Sequence, residues 1–114
     1  MVVTEKCDVY SFGVVTLEVL MGTHPGELIS AFSNLSEQHI LLNNVLDQRI
    51  LPPTQVDEKG VISLAMVAIA CLRADPKARP TMQQISQFFE INNSPSFLKP
   101  FNTVELSELM YLGR

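Results

Sequence analysis

The chain has 114 residues, enough for one domain or part of one and too few for two. Hydrophobic residues make up 46% and charged residues 18%, a globular composition that excludes a disordered or fibrous chain. The net charge of −4 comes without the basic footprint of a nucleic-acid binder or the polybasic patch of a membrane-surface protein.

Thr4 to Met21 reads as a helix, with Thr4 as its cap, Glu5 suited to the positive end of the dipole, and Gly22 and Pro25 as its stop. Its apolar residues Val9, Phe12, Val14, Val15, Leu17, Val19, Leu20 and Met21 occupy nearly every face, which predicts a buried central helix. The β-branched run Val14-Val15-Thr16 would suit a strand, but the segment is too long for one. Gly26 to Phe32 reads as a two-turn helix, and Ser36 is placed to cap a second one running to about Leu46. Pro52-Pro53 ends that section. A second strongly apolar helix starts near Val56 and runs through Val61 to Leu72, until Asp75-Pro76 breaks it. A third follows Pro80, with Thr81 and Gln84 in capping-box spacing and Met82, Ile85, Phe88 and Phe89 on one side. Asn92 to Ser96 reads as a linker. Thr103 to Leu112 forms a short amphipathic helix, with Leu106, Leu109 and Met110 on one face, expected as a loosely docked end. The chain is therefore all-α.

Cys7 and Cys71 cannot build a disulfide framework, and no Cys/His cluster suggests zinc, so both are expected as buried, reduced thiols. The apolar run from Val61 falls short of the ~20 residues that span a bilayer. No charged and apolar leader opens the chain, so a cytoplasmic location is expected. His24 and His39 are expected on the surface without an acidic partner.

The string Asp8-Val9-Tyr10-Ser11-Phe12-Gly13-Val14-Val15, followed by Leu17-Glu18, resembles the F-helix of eukaryotic protein kinases in the form found in plant receptor-like kinases. Ala70-Cys71-Leu72, Asp75-Pro76 and Arg79-Pro80-Thr81-Met82 resemble the segment joining the H and I helices of the same kinases. Gly22-Thr23-His24-Pro25-Gly26-Glu27-Leu28-Ile29 is similar to the G-helix approach of the leucine-rich-repeat group. The resemblance covers about residues 2 to 90 and implies an incomplete, helical C-lobe subdomain of the kinase fold. Residues 1–91 would be the partial lobe, from the F to the I helix, and 92–114 a C-terminal linker and tail. Met1 lies between the family's positions for A-P-E and the F-helix, as expected of an incomplete gene model begun at an internal methionine.

The resemblance also says what to expect of function. The family performs phosphoryl transfer with a glycine-rich loop, a strand lysine, a helix glutamate, and the H-R-D, D-F-G and A-P-E motifs. None of them is in this sequence. Ser11-Phe12-Gly13 imitates D-F-G by two letters but lacks the metal-binding carboxylate. No catalytic, cofactor-binding or metal residue is therefore expected in this chain, whereas ATP and magnesium are implied for a complete parent kinase. Four residues carry structural roles by resemblance. Asp8 would accept hydrogen bonds from the backbone of the H-R-D loop, although an acid favouring the helix N-terminus explains it equally. Arg79 would pair with the A-P-E glutamate, and without that partner it is expected as an orphan. Val15 and Val19 would support the hydrophobic spine beneath the adenine pocket, or simply pack in the core. Glu18 is expected to be solvated or locally paired.

The resulting expectation is a fragment of a receptor-like serine/threonine kinase, inactive by itself. Its parent would act in cell-surface signalling from the cytoplasmic side of the plasma membrane. The rest of the kinase domain would be its main partner, with receptor kinases or signalling proteins beyond it and no nucleic acid. The alternative is a stand-alone, non-catalytic helical module that binds or competes with receptor kinases.

Overall fold

The structure is a computed structural model that describes residues 5–34, 38–47, 55–91 and 103–112. Among these, the regular elements are helices. They are α1 (Glu5–Met21), α2 (Gly26–Ser30), a 3₁₀ turn (Ala31–Asn34), α3 (Leu42–Val45), α4 (Gln55–Cys71), a second 3₁₀ turn (Pro76–Ala78), α5 (Met82–Ile91) and α6 (Leu106–Leu112). The all-α expectation holds. The linker expected at Asn92 to Ser96 lies outside the described residues, as do the caps expected at Thr4 and Ser36.

The two 17-residue helices α1 and α4 pack against each other and form the spine of the fold. They meet at Gly13, where an added Cβ would stand 2.9 Å from Cys71 Cβ, 3.0 Å from Leu72 Cγ and 3.1 Å from the Ala68 carbonyl oxygen. Only a residue without a side chain admits that approach. Two hydrophobic clusters flank the crossing. The larger joins Leu17 of α1, Leu28 of α2, Leu42 of α3, Ile62, Ala65 and Ile69 of α4, and Leu106 and Leu109 of α6. The smaller joins Val9, Val67, Cys71 and Ile85, with Phe12 and Phe88 packed beside it.

Local chemistry sets the ends of the helices. Gly22 stops α1 at φ 74°, in the left-handed region, while its N–H still bonds the Glu18 carbonyl at 2.8 Å. The capping box before α5 forms in both directions: Gln84 N–H donates to Thr81 Oγ1 at 3.0 Å and Thr81 N–H to Gln84 Oε1 at 2.9 Å. Asp75 Oδ1 accepts from the Lys77 N–H at 3.0 Å and turns the chain after α4.

Four expectations need correction. Helix α1 is not buried all round, because Val15 and Val19 are 57% and 71% exposed while Thr16 is buried. The helix expected to run to Leu46 is interrupted among the described residues: Gln38 is helical, His39 to Leu41 are not, and the helix resumes only for the four residues of α3. His39 takes a left-handed φ of 51°, a conformation in which histidine is enriched, and Leu41 is extended. The backbone groups of residues 40–42 then serve a different partner. Leu42 N–H donates to the Val104 carbonyl at 2.8 Å, and Leu106 N–H to the Ile40 carbonyl at 2.9 Å. The tail is accordingly not a loose end, since Val104, Leu106 and Leu109 are each at most 2% exposed in the large cluster. Finally, Cys71 is buried but Cys7 is exposed.

The crossing generates a prediction. Gly13→Ala overpacks a contact whose neighbours include a backbone carbonyl, and should destabilise the fold by about 1–3 kcal/mol. Gly60 lies inside α4 with nothing within 4 Å of an added Cβ, so Gly60→Ala should stabilise it by about 1 kcal/mol. Urea unfolding of the two variants beside the wild type measures both signs.

Candidate functional site

Two features of the surface are built from residues far apart in sequence or aligned along one helix. The first is a clasp between the start of α1 and the turn after α4. Lys6 Nζ donates to the Arg79 carbonyl, and Arg79 Nη1 returns a hydrogen bond to the Lys6 carbonyl at 3.1 Å. Arg79 Nε donates to the Arg73 carbonyl at 2.7 Å and Nη2 to the Ala74 carbonyl at 3.4 Å. The guanidinium carbon also lies 4.8 Å from the centroid of the Tyr10 ring, within cation–π range. Arg73 Nη1 closes the same turn on the Ala78 carbonyl at 2.7 Å.

Arg79 is therefore not an orphan. Its planar fork is satisfied by three carbonyls and a ring, and it ties the two ends of a 73-residue separation together. Lys6, Tyr10 and Arg73 are members of the clasp that the sequence reading missed. The one available hint was the i, i+4 spacing of Lys6 and Tyr10, which puts them on one side of α1.

The second feature is an open face of α1. Asp8, Phe12, Val15 and Val19 recur at intervals of four, three and four residues, so they share one side of the helix. Asp8 is exposed, Phe12 half-buried, and Val15 and Val19 stand largely in solvent. All four residues singled out in the sequence are thus at the surface or in the clasp, and neither valine packs in the core of this chain. Asp8, Val15 and Val19 lie together along α1, while Arg79 belongs to the separate clasp.

Both histidines do have acidic neighbours, contrary to expectation. His24 Nδ1 lies 3.8 Å from Glu18 Oε1, and His39 Nδ1 lies 2.9 Å from Glu105 Oε1. Both rings are exposed, and such surface pairs are worth little. Behind the clasp, burial pushes the Cys71 thiol up to about 11 from its ordinary 9.0, against the opposing pull of Arg73 and Arg79. The thiol therefore stays protonated and is a packing group, not a nucleophile.

The described residues carry no cluster of metal ligands, since no three His, Cys, Asp or Glu side chains converge among them. A void of about 10 Å³ between α1, α3, α4 and α6 is lined by side chains such as Leu17, Leu42, Ile69 and Leu106, and is too small and too apolar for a polar ligand. No helix of the described residues is long and apolar enough to cross a membrane.

A family model described as protein tyrosine and serine/threonine kinase matches residues 1–89. The chain is 50% identical over 90 residues to MDIS1-interacting receptor like kinase 2 of Arabidopsis thaliana, covering 78% of this chain and 9% of that protein. It is 44% identical over 89 residues to a probable leucine-rich repeat receptor-like protein kinase of the same plant, covering 78% and 8%. A calcium/calmodulin-regulated receptor-like kinase of Arabidopsis thaliana shares 33% identity over 86 residues, covering 75% and 19%. The chain thus spans less than a tenth of the length of the first two relatives. No solved structure matches.

Two measurements check the clasp and the thiol beneath it. Arg79→Lys keeps the charge but loses the fork, and should cost about 1–3 kcal/mol in urea unfolding. For Cys71, the folded state holds a proton between pH 9 and 11 that the unfolded state releases, so stability falls as pH rises through that window. Below pH 9 this group contributes no slope. Comparison of wild type with Cys71→Ala should isolate a loss of up to about 2–3 kcal/mol that the variant does not show.

Proposed function

Because the chain belongs to the protein tyrosine and serine/threonine kinase family, we propose that it is the distal half of the large lobe of a receptor-like serine/threonine kinase and serves there as scaffold. It is a kinase-domain fragment homologous to receptor-like kinases. The observation that carries the reading is the family match over residues 1–89 together with 50% identity to a receptor-like kinase. In the proposed division, residues 1–91 are the partial lobe and 92–114 a linker and tail. The whole protein would transfer the γ-phosphoryl group of ATP, with magnesium, to serine and threonine hydroxyls of protein substrates. It would do so on the cytoplasmic side of the plasma membrane, as a receptor with leucine-rich repeats.

This chain's share of that work is positioning. Among the described residues no three His, Cys, Asp or Glu side chains converge on a metal. No step of the chemistry is assigned to these residues. Asp8 would hold the backbone of the catalytic loop, Val15 and Val19 would support the spine below the nucleotide, and Arg79 would anchor the segment before α1. The open face of α1 supports this reading, because an apolar stripe beside an exposed carboxylate is a surface built to be covered.

A second reading, a stand-alone interaction module without catalysis, is favoured by one observation. Val104, Leu106 and Leu109 lie beyond the family match yet seal the core, as a self-contained unit requires.

The test is a chimera in which residues 1–89 replace the matching segment in the kinase domain of the 50%-identical Arabidopsis relative. The chimera should phosphorylate itself in magnesium-ATP, and Asp8→Ala within it should lower kcat by about a hundredfold with little change in KM. A chimera that folds, by its cooperative melt, but transfers no phosphate would overturn the scaffold reading and leave the module.

A further inference from the structure

Residues 103–112 meet the rest of the molecule in the manner of a bound peptide. Leu41 and Glu105 form an isolated antiparallel bridge. Its two hydrogen bonds, Leu42 N–H to Val104 and Leu106 N–H to Ile40, flank the pair instead of joining it. Leu41 and Glu105 are thus a non-hydrogen-bonded pair, the arrangement in which facing residues come closest. Directly after the bridge the segment becomes α6 and drops Leu106 and Leu109 into the groove between α3 and α4, beside Leu42 and Ile69. Val104, Leu106 and Leu109 are each at most 2% exposed.

The segment also organises itself. Glu108 Oε1 accepts from the Glu105 N–H at 3.0 Å, so α6 is capped from within its own ten residues. Glu105 meanwhile reaches His39, whose left-handed backbone turns the receiving edge toward the bridge. Strand pairing, apolar anchors at alternate and i+3 positions, and one acidic contact are the elements by which grooves recognise peptides. Unlike α1 and α4, which are held by a continuous helix-on-helix face, this segment is held at one bridge and one short helix.

We propose that residues 103–112 are a cis-acting strap, an intramolecular ligand of Val-x-Leu-x-x-Leu pattern that occupies the α3–α4 groove of its own chain and is released from it as a unit while α1 and α4 stay packed. The occupant is this chain's own segment, not a second copy. The proposal does not rest on the kinase reading, because it concerns residues outside the matched 1–89.

The bridge supplies the test in the full chain. On a Cys7→Ser background, Leu41→Cys with Glu105→Cys places two thiols at the paired positions, whose expected Cα separation of about 4.5 Å lies in the disulfide range. Mild oxidation should give a monomeric, intrachain disulfide. A disulfide-linked dimer, or no disulfide in a protein that melts cooperatively, would overturn occupancy in cis. Release is read by amide hydrogen exchange of the unmutated chain. The bridge amides of Leu42 and Leu106 should exchange together, more than tenfold faster than the buried amides of α4 around Ala68, and the disulfide should abolish that difference. Bridge amides as slow as those of α4 in the unmutated chain would make the segment an inseparable part of the core and sink the proposal.

Discussion

The approach of α1 to α4 at Gly13 fixes everything else in the fold. A β-carbon at that position would collide with the side chains of Cys71 and Leu72 and the carbonyl of Ala68, so the backbone of α1 lies directly against α4. Both hydrophobic clusters hang from this contact. On one side Val9 and Cys71 meet Ile85 of α5, and on the other Leu17 and Ile69 gather α2, α3 and α6. The clasp depends on it as well. Lys6 and Tyr10 lie one to two turns before Gly13, and Arg79 lies eight residues beyond Cys71. Separating the helices would carry the two halves of the clasp apart.

The crossing also explains why one helix faces two environments. Gly13 sets which arc of α1 meets α4, and that arc includes Thr16, whose hydroxyl donates to the Phe12 carbonyl at 2.8 Å. A buried threonine that satisfies its hydroxyl inside its own helix costs little. The opposite arc holds Val15 and Val19, which gain nothing from solvent. A helix with threonine inside and valines outside cannot be explained by the packing of this chain alone. In the proposed placement of α1 within a larger kinase lobe, that outer arc would be covered.

Much of this was legible in the sequence. The long apolar runs, the Gly22 stop and the Thr81–Gln84 box gave α1, α4 and α5, because each rests on interactions within a few residues. The helix expected to end at Leu46 failed for a non-local reason: the backbone of residues 40–42 pairs with a segment more than sixty residues away. The same pairing hid the docking of Val104 and Leu106, whose pattern showed an apolar face but not what it would meet. Periodicity likewise could not separate Val14, partly buried against the core, from Val15, exposed, because an all-round apolar helix carries no marker of which side is covered. Of the candidate site, Asp8, Val15, Val19 and Arg79 were singled out by resemblance. The carbonyl partners of Arg79 carry no side-chain signature and could not be read at all.

Those carbonyls decide how Arg79 can serve a kinase lobe. Removing one partner from a buried ion pair is severe when the remaining charge has nothing to bond, roughly 3–5 kcal/mol. Here the guanidinium is only partly buried and each of its three nitrogens already has a carbonyl acceptor, so no carboxylate is needed to hold it in place. The contacts are not equal, however. Those to Arg73 and Lys6, at 2.7 and 3.1 Å, hold the clasp, whereas the Nη2 contact to Ala74 at 3.4 Å is long for a hydrogen bond. In the proposed lobe, a glutamate arriving from the preceding segment needs to displace only that weakest contact. It would gain a charge-assisted bond while the clasp between α1 and the turn after α4 remained intact. The arginine can thus be a satisfied structural group in the fragment and an ion-pair anchor in the larger domain, without any rearrangement of the helices that carry it.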